Sequence, residues 1–289
     1  MRRVRRRVNR LSDEIHVALP TSVLLVEPPG LPRLMKAYQI LRYSSIFGVE
    51  KVVFYKDFST SERSHEESAV FLEKVWSYYR TPPYLRKKLI PIDRDLRGVG
   101  LLPPLRLEAF HVSRKPYKGQ VRLAHVKNTR EGCLADIGVG EEYLVKGECK
   151  EGLRQVRVID VDSRVVEVIE AVLYTGPEIE FKKSLREVVD EYAGRSLLLA
   201  TDRRGRVPPI HEYAGRIART MLVLFGSPSH DLFEMAVAEG FNLRMYVEDV
   251  WNTIPGQRVV TVRSEEALVI TLGLINILRK TWAGLRPVE

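Results

Sequence analysis

The residues whose types and spacing could do chemistry gather near the C-terminal end. A short apolar run, Met221 to Phe225, breaks sharply at Gly226-Ser227-Pro228. A second loop follows at Asn252-Thr253-Ile254-Pro255-Gly256-Gln257, and the β-branched run Val259 to Val262 then feeds Arg263-Ser264-Glu265-Glu266-Ala267. Glycine/proline loops let backbone amides and carbonyls approach a flat ligand such as adenine. On spacing alone they are equally ordinary turns. Arg263 is suited to a phosphate or carboxylate, or to a plain surface position. Glu265 and Glu266 are the carboxylates at hand for taking a proton, although acids at a helix start also stabilise the helix dipole.

The elements that must position these groups are legible in outline. Met221 to Phe225 reads as a strand buried on both faces of a parallel sheet, with its loop at the carboxyl end, where open α/β sheets bind ligands. Ser264 reads as the N-cap of a helix that runs apolar to Leu278. Upstream, Val17–Val26 and Lys51–Tyr55 read as strands flanking a helix from Leu31 to Phe47. Its stripe is Leu34, Ala37, Tyr38, Leu41 and Ser45, and Gly48 stops it. Ser61–Tyr79 reads as an amphipathic helix, Lys182–Tyr192 as a short one, and Leu197–Thr201 as a buried strand followed by a polar loop, TDRRGR. A helix is expected over 214–221. Residues 106–177 have another texture: five short β-rich runs punctuated by glycines, which suggests a small β-barrel.

The ordered motifs LFGSP, NTIPGQ and TVRSEEAL resemble the C-terminal half of the SPOUT-class, or α/β-knot, RNA methyltransferases. KAYQILRYSSIFGVEKVVFY, TPPYLRKKLIP and LRGVGLLPPL resemble an archaeal and eukaryotic branch of that class with an OB-like insertion, and GCLADIGVGEEYLV resembles the central hairpin of OB-type barrels. The resemblance implies a parallel-sheet α/β domain tied in a trefoil knot, with an inserted OB-like barrel. Residues 1–12 read as a disordered basic arm, and the resemblance implies a methyltransferase domain from 13–105 and 178–289 with the barrel at 106–177. It implies S-adenosyl-L-methionine as cofactor and a homodimer. By the same resemblance the cofactor residues are Thr201, Arg204, Gly226, Asn252, Thr253, Pro255, Gly256, Gln257 and Thr261. Asp202 and Arg203 depart from the more neutral residues of the family loop. The catalytic candidates are Arg42, Arg263 and Glu266, Arg42 being equally readable as a surface residue. Methyl transfer from a sulfonium is an in-line displacement that needs alignment above all, and a uridine N3 must also lose its proton. The implied function is RNA methylation, of ribosomal RNA and at uridine N3. The alternative is a non-catalytic RNA-binding or ribosome-assembly module.

Charge fits a polyanion partner. The net charge is +9 over 289 residues: residues 1–10 carry +6, residues 80–130 carry +10 and residues 131–180 carry −7. Such concentrated basic patches are the footprint of nucleic-acid binding, or else a solvated basic face. The candidate RNA contacts are Arg80, Arg86, Lys87, Lys88, Arg114, Lys115, Lys118 and Arg122; nearby tyrosines either stack bases or pack a proline-rich linker. His16, His211 and His230 are scattered, and no metal site is expected. Cys133 and Cys149 read as small buried apolar residues, not as a disulfide framework. The basic start followed by an apolar run mimics a signal peptide, but Ser12-Asp13-Glu14, Pro20 and Glu27-Pro28-Pro29 argue against one. With no apolar stretch of ~20 residues, neither membrane nor export is expected, and the cytoplasm is.

Overall fold

The computed structural model describes residues 14–170, 173–209 and 220–284. The basic arm, His211 and almost all of the helix expected at 214–221 lie outside these residues. In chain order the strands are β1 Ile15–Pro20, β2 Val49–Tyr55, β3 Val121–Thr129, β4 Gly132–Asp136, β5 Glu142–Lys146, β6 Gly152–Asp160, β7 Val165–Val168, β8 Glu178–Lys182, β9 Leu197–Arg206, β10 Met221–Leu224 and β11 Asp249–Trp251. The α-helices are α1 Leu31–Ile46, α2 Glu62–Arg80, α3 Pro83–Leu89, α4 Leu185–Tyr192, α5 Leu232–Ala238 and α6 Ser264–Gly284. The chain divides into two compact units, Leu72–Gly176 and the residues on either side of it.

The flanking unit is a six-stranded, all-parallel sheet in the order β11-β9-β10-β1-β2-β8. Its central strands are apolar on both faces because helices cover both faces of a parallel sheet. Val17 lies opposite Val223 and Val52, and all three are fully buried. On one face α4 and α5 pack Val188, Val189, Leu232 and Met235 against Val53, Leu198 and Leu222. Helix α1 buries the expected stripe of Leu34, Ala37, Tyr38, Leu41 and Ser45 and packs against α6.

Two expectations about strands are corrected. β1 stops at Pro20, not Val26: proline has no N–H to carry the ladder on, and Thr21–Leu24 coil into a 3-10 turn. β9 does not stop at Thr201 but runs through the polar TDRRGR segment to Arg206. A partner explains it. β11 pairs alongside through an irregularity, Arg206 meets Asp249 at 2.8 Å, and the buried Trp251 donates from Nε1 to Asp249 at 2.9 Å.

The unit Leu72–Gly176 contains a closed barrel, β3-β4-β5-β7-β6, with β6 pairing back onto β3. The β5–β7 pair is parallel and the others are antiparallel. Its core is Ala124, Val126, Ala135, Ile137, Tyr143, Val156, Val158 and Val166. This unit also takes in the proline-rich stretch that the sequence reading left outside the barrel. Tyr84 on α3 donates to the Leu123 carbonyl at 3.0 Å, and its ring lies where a Cβ on Gly138 would stand. Lys88 pairs with Asp136. The two cysteines are not separate apolar residues: Cys133 and Cys149 form a disulfide. The turn between β4 and β5, with the loop after β5, returns Cys149 to the start of β4, a proximity that a sixteen-residue spacing does not reveal.

Candidate functional site

Beside the polar half of β9, beyond the carboxyl end of β10 and at the end of β11, lies a cavity of about 740 Å³, a size that suits a cofactor or drug-sized ligand. Thr201–Arg204 within β9, Phe225–Asp231 after β10 and Trp251–Ile254 at and after the end of β11 line three sides, and Thr261–Ser264 leading into α6 closes it. Each loop is held by its own hydrogen bonds. Thr201 Oγ1 donates to the Leu224 carbonyl at 2.9 Å, tying β9 to β10 below the cavity. Ser227 Oγ donates to the His230 carbonyl at 3.1 Å and accepts from the His230 N–H at 2.8 Å, which makes the SPSH loop a tight turn. Asn252 donates to the Arg203 carbonyl at 2.8 Å and accepts from the Ile254 N–H at 3.1 Å, joining the loop after β11 to β9. Thr253 reaches Thr271 of α6 at 2.9 Å. Gln257 donates to the carbonyls of Val259 and Val260.

The floor of the site is an ion cluster that the sequence reading missed. Lys36 on α1, only 3% exposed, lies 3.1 Å from Glu27 and 3.4 Å from Glu265. Arg263 meets Glu27 at 2.8 Å and Glu265 at 3.8 Å. Two cations and two carboxylates thus tie the loop after β1, helix α1 and the start of α6 together. A buried charge persists only when it is paired. The sequence signal was a lysine in the apolar face of α1, at helical spacing from Tyr43.

A second cavity, of about 700 Å³, adjoins the first and shares Ile254, Gln257, Val262 and Arg263 with it. Lys36 and Glu27 face the first, and Glu265 and Glu266 face the second, along with Gln39 and Tyr43.

The model of the family described as "Putative RNA methyltransferase" matches residues 14–275. This chain belongs to that RNA methyltransferase family. A 28S rRNA (uridine-N(3))-methyltransferase of Homo sapiens is 28% identical, over 91% of this chain and 77% of the human protein. A protein of the same description from Drosophila melanogaster is 26% identical over 91% of this chain, which spans 61% of that relative's length. An uncharacterized protein of Halobacterium salinarum is 27% identical, over 90% of this chain and 98% of its own length.

Within this methyltransferase, seven of the nine expected cofactor residues line the first cavity: Thr201, Arg204, Gly226, Asn252, Thr253, Gln257 and Thr261. Gly256 instead lines a smaller cavity beside Arg203 and Val260, and Pro255 lines none of the three. Arg204 is already engaged, between Asp202 at 3.2 Å and Asp231. Trp251, His230 and Asp231 also line the cavity and were not expected there.

The catalytic candidates separate. Arg263 stands in the wall between the cavities. Arg42 lines none of them and lies beside Tyr38, whose phenol burial pushes up against the pull of that guanidinium. Glu266 is exposed and caps its own helix: its carboxylate accepts the Arg263 N–H at 2.9 Å, and the Ala267 N–H bonds the Arg263 carbonyl at 2.9 Å. The N-cap is therefore Arg263 and not Ser264, with Glu266 at the third helical position, half of a capping box.

The RNA candidates separate as well. Arg122 is 2% exposed, donates to the Ser113 carbonyl at 3.1 Å and faces the Tyr84 ring, so it is part of the barrel wall and not a phosphate contact. Burial lowers its pKa. Arg86 donates to the Thr81 carbonyl at 3.1 Å and stacks over Tyr78, while Lys88 is paired with Asp136. Arg80 is half-buried. Lys87, Arg114, Lys115 and Lys118 are exposed, the last three flanking Tyr117, which is 59% exposed. Among the described residues, no group of three or more His, Cys, Asp or Glu is placed to hold a metal, and no helix is long and apolar enough to cross a membrane.

Proposed function

We propose that this protein methylates N3 of a uridine in large-subunit ribosomal RNA with S-adenosylmethionine as donor. The observation that carries the reading is the first cavity: the polar half of β9 and the loops after its parallel neighbours β10 and β11 converge on one space of cofactor size. Its donor set fits that molecule. Ile254 and Val260 offer apolar surface to an adenine, with Phe225 and Trp251 packed behind, and loop backbone groups line the same cavity. Acidic and basic side chains, among them Glu27, Asp202, Asp231, Lys36 and Arg204, share its lining and suit a ligand that carries both signs of charge. The cofactor supplies an activated methyl group; the protein supplies alignment and a route for the N3 proton. The uridine and ribosomal assignments rest on the human and Drosophila relatives.

Exposed Arg114, Lys115, Tyr117 and Lys118 suit phosphates and a stacked base, and the barrel's strand order supports an OB-type RNA-binding module. A knotted chain, a homodimer and a cytoplasmic location complete the reading. Exposed Met35, Ile270 and Ile277 on α1 and α6 support the dimer.

Calorimetry with S-adenosylmethionine and S-adenosylhomocysteine, beside a Gly226→Arg variant, tests this. A Cβ at Gly226 would already meet the His230 carbonyl at 3.2 Å, and the rest of an arginine would enter the cavity. The wild type should bind both and the variant neither. Labelled-methyl transfer to total RNA, with nucleoside mass spectrometry, should then give 3-methyluridine in the large-subunit RNA. A folded wild type that binds neither compound would leave the non-catalytic RNA-binding module.

A further inference from the structure

We propose that Glu265, not Glu266, is the base that takes the N3 proton of the target uridine. The inference rests on the uridine-N3 reading above.

Two adjacent carboxylates open α6, and the structure gives them opposite surroundings. Glu266 is exposed and its carboxylate accepts the Arg263 N–H. Glu265 is 3% exposed, and its Oε2 is buried with no hydrogen-bond partner. Lys36 Nζ, 3.4 Å from that oxygen, is at ion-pair distance without hydrogen-bond alignment. A buried carboxylate oxygen without a donor is costly unless something else uses it.

Position supports the same assignment. Glu265 lines the second cavity, which meets the cofactor-sized one along Ile254, Gln257, Val262 and Arg263. A base lying in the second cavity, with its N3 edge toward that wall, would present this one edge first to the carboxylate and then to the methyl donor, since the lone pair that takes the methyl is the one the proton leaves. The neighbouring cations suit the charge that then appears. Lys36 and Arg263 neutralise Glu265 and Glu27 now. When Glu265 accepts the proton, their charge is released to the uridine anion, spread over N3, O2 and O4. The freed N3 lone pair forms the bond to the methyl carbon, and the methyl–sulfur bond breaks with its electrons returning to sulfur. The proton on Glu265 passes to solvent after product leaves.

The test uses full-length protein and RNA substrate carrying either uridine or 5-fluorouridine at the modified position. The halogen makes N3–H more acidic and so lessens the need for a base. With Glu265→Gln, S-adenosylhomocysteine binding by calorimetry should persist, while single-turnover methylation of uridine RNA falls about 100-fold or more, the usual range of general-base loss. The 5-fluorouridine substrate should recover at least roughly ten-fold of that loss. Glu66→Gln, at an exposed carboxylate of α2 that lines none of the three cavities, should methylate both substrates near the wild-type rate. Equal wild-type and Glu265→Gln rates on uridine RNA would overturn the assignment, as would an equal deficit on both substrates. If Glu265→Gln does not fold, Glu265→Asp replaces it, a shortened carboxylate expected to show the same 5-fluorouridine recovery; no recovery there overturns the proposal. Mass spectrometry of the wild-type product separates the two levels. A methyl group on an atom other than N3 removes the uridine-N3 reading itself, whereas 3-methyluridine made equally well by Glu265→Gln removes only the role of Glu265.

Discussion

Gly205 sits where β9 runs against β11, with ordinary backbone angles but no room. A Cβ there would lie 2.6 Å from the Val250 carbonyl and 2.8 Å from the Asn252 nitrogen, both backbone atoms that cannot swing aside. Gly205→Ala should therefore cost about 1–3 kcal/mol as an overpacked contact and weaken cofactor binding by displacing the Asn252 loop. Thermal unfolding and calorimetry on the same sample check both; an unchanged melting temperature would remove the close-contact argument. Histidines give a pH dependence. Burial lowers the pKa of His65, and burial followed by the Lys51 charge lowers that of His16. His16 also shares a 2.7 Å hydrogen bond with Tyr192, and His65 a 3.0 Å one with Thr21. A depressed value means the native state holds fewer protons than the unfolded chain as pH falls below the ordinary 6.5. Their contribution is thus full above that value and is lost as pH drops toward the folded values. Urea unfolding at roughly pH 7.5 and 5.5 should show a smaller acid loss for His65→Gln than for the wild type.

At the scale of elements, strand pairing closes the barrel, and the Cys133–Cys149 bond ties the loop after β5 to the start of β4. A cross-link over sixteen residues stabilises by about 3 kcal/mol in the chain-entropy account. Reductant, or the double substitution Cys133→Ser with Cys149→Ser, should lower the unfolding midpoint of the protein by a corresponding amount. No shift under full reduction would mean that strand pairing alone holds the barrel. Legibility differed between elements for a physical reason. Stripes such as Leu34, Ala37 and Leu41 declare a helix face because burial there follows chain periodicity. β9 did not declare its polar half, because Asp202–Arg206 are held by pairing with β11 and by Asp249, which come over forty residues later. The same limit applied at α6. Sequence placed a helix start near Ser264, yet which of Glu265 and Glu266 faces inward depended on where Lys36 stands.

The whole molecule carries its positive charge unevenly, and that sets a salt dependence. RNA affinity should fall linearly in log–log terms with salt, by roughly 0.7 of a unit in slope for each phosphate neutralised on a single strand. Substituting Arg114, Lys115 and Lys118 together by alanine should flatten the slope by about two units while S-adenosylmethionine binding stays unchanged. A slope that does not move would place the RNA contact elsewhere.

The sequence by itself determined the parallel α/β class, the five-stranded barrel, the family and the loops that meet at the cavity. Those features follow from local rules: apolar runs, glycine and proline breaks, and ordered motifs. Only the tertiary structure decided that Arg122 lies buried under Tyr84, that Arg204 is held by Asp202 and Asp231, that the cysteines join, and that Lys36 gathers Glu27, Glu265 and Arg263 beneath the site. Charge and burial are set by neighbours distant in the chain, and a lysine or arginine reads the same in sequence whether it faces water or a carboxylate.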